Sequence, residues 1–199
     1  MADADSIKPA AAEHFQCAAT EVGATDLTAR HPWLHKHGLY LAADPKRRMA
    51  LIAAGGPSGA LIFDEALGIP ANLKTLNQLL QAEEAKLPEG LPAAQLAWVT
   101  RAFLAGPGGF VGCAAFWAEQ KDALKLWTSP CPRDGPVLFR KYCQDPQLAR
   151  RGDQWSLTFY YFTNKGGVEV WKANGDARQF LGAVFERVEP DRKFFFPYA

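Results

Sequence analysis

The chain has 199 residues, long enough for one sizeable hydrophobic core and short for two. Hydrophobic residues make up 48% and charged residues 22%, which excludes an intrinsically disordered chain. The 22 basic and 21 acidic residues leave a formal net charge of +1, which excludes a dedicated nucleic-acid binder, because such proteins need a basic excess to neutralise phosphates.

Residues 1–9 read as a flexible N-terminal tail: acidic, then Ala/Pro-rich, with neither the basic nor the apolar region of a signal peptide. Residues 10–22 fit a short helix, with Phe15, Ala18, Ala19 and Val22 on one side. Gly38 to Ala43 and Arg48 to Ala54 are short apolar runs around the turn signal Asp44-Pro45, so they read as a hairpin. The short basic run Lys46-Arg47-Arg48 is then a solvated rim. A loop follows at Gly55-Gly56-Pro57-Ser58-Gly59, and Ala60 to Leu67 fits either a strand or a helical segment.

The middle of the chain is helical. Asn72 suits an N-cap, and Leu73, Leu76, Leu79, Leu80 and Leu87 follow helical spacing up to the break at Pro88 to Pro92. A second helix is expected over about Ala93 to Ala105. A third apolar segment carries Phe110, Cys113, Ala114, Trp117 and Leu124, and Pro136 suits the first turn of another helix. Asp145-Pro146 opens one more short helical turn, closed by Gly152.

In the last quarter, Trp155, Leu157, Phe159 and Tyr161 alternate with Ser156, Thr158, Tyr160 and Phe162, which is a strand. A turn at Asn164 to Gly167 leads to a second strand, Val168 to Trp171, and Asn174-Gly175 is a turn signal. Residues 177–188 fit an amphipathic helix better than a third strand: Asp176 and Gln179 occupy capping-box positions, and strict alternation fails. Phe194 to Tyr198 is a final apolar segment that needs cover.

Chemical signatures are sparse. His31, His35 and His37, with His14 and Cys17 upstream, mimic the ligand spacing of a zinc site, although Pro32 and Trp33 disturb the helix that would align an i,i+4 pair. The glycine loop lacks the first glycine of a dinucleotide fingerprint, at Ala54, and has no Walker lysine. Ser58 fails as a nucleophile elbow because all four histidines precede it. Cys17, Cys113, Cys131 and Cys143 form no CxxC pair and no phosphatase-type loop.

The expected fold is a single α+β domain over residues 10–199, an antiparallel sheet from the N- and C-terminal hairpins packed against central helices. The leading functional expectation is a non-enzymatic binding or protein-interaction domain that uses an aromatic sheet surface at Tyr160, Phe162 and Trp171. Its partner would be another protein or a second copy of the chain. The alternative is a small-ligand-binding protein or enzyme with a histidine-lined, metal-holding site at His31, His35 and His37. No cofactor is implied. With no apolar run of the ~18–20 residues a membrane span needs, the expected location is the cytoplasm.

Overall fold

The computed structural model describes residues 4–46, 49–57, 59–87, 89, 91–106, 141–142, 144–163 and 167–190, without the side chains of Arg30 and Phe162. The expected helices at 110–124 and after Pro136, the apolar segment at 194–198, and Ser58, Cys113, Cys131 and Cys143 lie outside the described residues. So do Arg47 and Arg48 of the basic run and most of the Asn164 turn.

The fold is α+β, built on two four-stranded antiparallel sheets. The N-terminal sheet has the order β1 (Gly23–Asp26), β2 (Gly38–Asp44), β3 (Met49–Gly56), β4 (Gly59–Phe63). The C-terminal sheet has the order β5 (Gln147–Arg151), β6 (Gln154–Phe162), β7 (Val168–Gly175), β8 (Phe180–Glu189). Each expected hairpin thus sits in its own sheet. Among the described residues the bounded α-helices are α1 (Lys8–Phe15), α2 (Gly68–Ala82) and α3 (Ala93–Leu104).

The N-terminal sheet is covered on both faces, which is why β2 and β3 read as apolar runs without alternation. One face, with Tyr40, Ala42, Leu51 and Ala53, packs against Ile7, Ala11, Ala12 and Phe15. The other face contributes Leu39, Ile52, Ala54 and Phe63 to a larger cluster with α2 and α3, and Trp155, Leu157, Phe159, Tyr161 and Trp171 of the C-terminal sheet join the same cluster. The helices α2 and α3 are therefore shared between the two sheets, and one core spans both.

Several expectations change. Residues 4–9 are not a tail: α1 begins at Lys8, and Ile7 is fully buried. That helix ends at Phe15, closed by Gln16 in the left-handed region, so 10–22 is not one helix. Ala60 to Phe63 is strand. Asn72 lies inside α2 rather than capping it. Its side chain donates to the carbonyls of Asp64 and Leu104 and accepts from the Asp64 N–H, tying together β4, α2 and α3. The expected helical turn after Asp145 is the strand β5, and Gly152 supplies the positive φ of the β5–β6 turn.

The largest change is at 177–188, which is the strand β8 and not a helix. Asp176 does cap, but it caps a turn: its carboxylate accepts the N–H groups of Arg178 and Gln179 and the Gln179 side-chain amide. The Arg178 N–H leads in holding this carboxyl below its ordinary range. Alternation fails in β8 because its register against β7 shifts at Val168/Glu169 and at Asn174/Gly175. The sheet also needs Gly175, where a Cβ would overlap the Trp155 ring.

Candidate functional site: a cross-strand ring ladder at a sheet edge

On the inner face of the C-terminal sheet, β6 places Phe159 opposite Trp171 of β7, and β7 places Trp171 opposite Phe185 of β8. Directly opposed residues of antiparallel strands share a face and stack. Phe159 and Trp171 are 6.1 Å apart at an interplanar angle of 7°, and Trp171 and Phe185 are 4.7 Å apart at 17°. The three rings form a ladder across the strands. Trp171 is fully buried within it, whereas Phe185, at the end, keeps 43% of its surface exposed.

Charged side chains fix this ladder. Arg101 of α3 places its guanidinium 4.3 Å from the Tyr161 ring centroid and 5.6 Å from that of Trp171. Its Nε lies 3.4 Å from Glu169 Oε2, and its Nη1 donates to the carbonyls of Ala105 and Gly106 at the end of α3. Glu169, 4% exposed, also accepts the Trp171 Nε1–H at 2.9 Å and Arg187 Nη2 at 3.3 Å. A buried carboxylate held between two guanidiniums and an indole N–H satisfies the requirement that a buried charge be paired and hydrogen-bonded.

The outer face differs from the expected aromatic surface. Trp171 does not share a face with Tyr160 and Phe162, because register places it opposite Phe159 on the core side. Tyr160 does point outward. It is half-buried, with the Tyr142 ring 5.2 Å away and the Tyr142 hydroxyl donating to Glu189 at 2.9 Å. Phe162 lies opposite Val168, with its side chain outside the described residues. The rest of this face is polar and open around Ser156, Lys172 and Asn174.

The sheet edges are unequal. Natural proteins blunt edges with short strands and charges, since an unpaired ladder is a template for another chain. Among the described residues, β1 has four residues, β4 five and β5 five, and β5 carries Arg150 and Arg151. The edge strand β8 has ten residues and exposes Leu181 (50%), Val184 (64%) and Phe185 (43%). At its start lies a groove of about 1100 Å³ between α2 and the β7–β8 turn, lined by Leu73, Asn77, Gln81, Arg178 and Leu181 among others. Asn77 donates to the Phe180 carbonyl and accepts its N–H, both at 2.9 Å, and so fixes the groove's floor.

The three histidines do not converge. His31 is buried with its ring 4.3 Å from that of Trp98, His35 is exposed, and His37 is buried against Glu83. No group of three or more His, Cys, Asp or Glu side chains suited to a metal occurs among the described residues. His37 does meet the glycine loop: a Cβ at Gly56 would overlap its imidazole. Its Nδ1 donates to Glu83 Oε1 at 2.6 Å. Glu83 follows α2 and accepts the main-chain N–H groups of His35, Lys36 and His37 at 2.5, 3.0 and 2.8 Å. Burial alone raises the pKa of this carboxyl, but those donors outweigh it and hold it below its ordinary value. The arrangement is an anchor between α2 and the start of β2. A second such tie joins α1 to β4, with His14 Nε2 2.5 Å from Asp64 Oδ2.

Compared with known proteins, the chain matches no family, no curated protein and no solved structure.

Proposed function

We propose that this protein is a binding domain that takes an extended polypeptide strand onto β8 of its C-terminal sheet. The observation that carries the reading is β8 itself. It is the longest edge strand among the described residues, and it exposes Leu181, Val184 and Phe185 where the other edges are short or charged. Strand addition draws affinity from main-chain hydrogen bonds and specificity from alternate side chains. The inner side of β8 offers the Phe185 ring and the Arg187 guanidinium, and its outer side offers Val184 and Glu186. An antiparallel partner segment that places an aromatic residue opposite Phe185 and an acidic residue opposite Arg187 would complement both. This reading keeps the expected interaction domain but moves its surface from Tyr160, Phe162 and Trp171 to the edge beside them.

The test is panning of a phage-displayed decapeptide library on the intact protein, immobilised at low density. Enriched peptides carry an aromatic residue, protect the amides of 180–189 from hydrogen exchange, and lose binding to the Val184→Lys protein. Absence of enrichment, or protection confined to other strands, removes the proposal.

A further inference from the structure

We infer that the strand added to β8 is β8 of a second copy of this chain, paired antiparallel about a twofold axis through Phe185. The inference rests on the strand-addition reading above and names its partner.

Symmetry restricts the register. A twofold axis that relates two antiparallel edges into one continuous sheet runs perpendicular to it, so both inner faces stay on the same side. Opposed residues share a face, so inner-face residues must oppose inner-face residues. Every register centred on a residue meets that condition, and three of them place Phe185 at the axis or next to it: those centred on Val184, Phe185 and Glu186. Centring on Val184 sets Ala183 against Phe185 and ends the ring ladder. Centring on Glu186 sets two carboxylates against each other, which is destabilising.

Centring on Phe185 sets the two Phe185 rings against each other. The ladder Phe159–Trp171–Phe185 then continues through the axis into its own copy, giving six rings in one row. In the same register Ala183 opposes Arg187, and the small residue leaves room for the guanidinium stem. On the outer face Val184 opposes Glu186. Lys172 lies opposite Val184 within its own sheet, so Lys172 of one copy and Glu186 of the other flank the same valine. Their long side chains can meet above it, once on each side of the axis. The register therefore joins the rings, brings opposite charges together twice and opposes no like charges.

Asn77 ties α2 to Phe180, at the far end of β8 from Arg187. The twofold places the two α2 helices at diagonal ends of the paired strands.

Sedimentation velocity on the intact chain from about 1 to about 300 μM, the range over which an edge contact of modest area titrates, tests the inference. The expected result is a concentration-dependent rise from the 21.8 kDa chain to twice that mass. Phe185→Lys sets two cations across the axis and leaves a monomer at every concentration. Phe185→Cys tests the register: under oxidised glutathione it forms a covalent dimer on a non-reducing gel. Leu181→Cys, distant from its own symmetry mate in this register, and the wild-type protein with its native cysteines do not. A wild-type monomer throughout, or a dimer that persists in Phe185→Lys with no cross-link in Phe185→Cys, overturns the inference. The two readings fail separately. A monomer whose β8 still captures displayed peptides removes only the second copy, whereas a monomer that captures none removes strand addition as well.

Discussion

Replacing Glu83 with alanine tests how the N-terminal sheet is tied to α2. The wild-type carboxylate is fully buried and accepts three consecutive main-chain N–H groups together with His37 Nδ1. Hydrogen bonds to a charged acceptor contribute about 1.5–3 kcal/mol each, but the set is not additive. His35 and Lys36 are exposed, so their freed N–H groups regain water, while the His37 N–H and ring stay buried without an acceptor. The loss expected is about 2–4 kcal/mol, the cost of leaving buried donors without their charged acceptor. That is a large share of a stability of about 5–15 kcal/mol. Urea denaturation at pH 7, followed by tryptophan fluorescence, measures it. Glu83→Gln keeps one acceptor oxygen and loses less.

Acid gives a second check on the same group. The Glu83 carboxyl is held below its ordinary value in the folded protein. Its contribution is therefore complete above the unfolded-state pKa and is lost as pH falls through the lowered folded pKa. The gap between wild type and Glu83→Ala is widest near neutrality and narrows through the acid range below the ordinary glutamate pKa. A destabilisation under about 1 kcal/mol would be no more than an ordinary neutral hydrogen bond and would refute the anchor. A gap that does not change with pH would refute its ionic character.

Buried geometry sets three further outcomes. Gly56→Ala forces the His37 ring to move and costs about 1–3 kcal/mol, read as a lowered denaturation midpoint with an unchanged urea slope. Asn72→Leu strands two carbonyls and one N–H around a fully buried site and costs about 2–4 kcal/mol, read in the same assay. Trp171→Ala empties the centre of the ladder and costs about 3–5 kcal/mol, so its first effect is on folding. Trp171→Phe keeps a ring in the ladder, removes the bond to Glu169 and part of the buried volume, and costs less than the alanine variant in the same assay.

The elements that read clearly from sequence are those with one dominant local signal. The β2–β3 hairpin comes from two apolar runs around Asp44-Pro45, α3 from uninterrupted apolar helical spacing, and β6 from strict alternation. Asp176 to Val188 misleads because Asp-x-x-Gln has the same local chemistry at a turn as at a helix start: a carboxylate accepting N–H groups two and three residues on. Beyond that turn, tertiary pairing with β7 decides the conformation, and the shifted register hides the period-2 pattern that would reveal a strand. The aromatic and β-branched residues Val184, Phe185 and Val188 are the available signal, and they outweigh the cap pattern once β7 is there to pair with. The misassigned face of Trp171 has the same origin. Which face a residue occupies depends on its partner strand, and register is not written in the strand's own sequence. The histidine spacing is visible but not informative, because His31 and His37 are held by Trp98 and Glu83, both distant in the chain.

The site also gains from the groups packed behind it. Phe185 is half-exposed but not loosely placed: Trp171 stacks on its ring, Glu169 accepts the Trp171 N–H, and Arg101 lies over Trp171 while its Nη1 closes the end of α3. The three groups behind Phe185 are all buried, and the last of them, Arg101, stands on α3 in the main core. A strand added to β8, as proposed, would meet a ring already set in its stacking geometry and would cost little further side-chain entropy there. Arg187 is part of the same arrangement through its 3.3 Å contact with Glu169 on the inner face. An edge kept only for folding would gain nothing from so ordered a terminal ring, and a charge at Phe185 would guard it better. The buried polar network and the exposed apolar edge are thus two ends of one construction, with the first giving the second its shape.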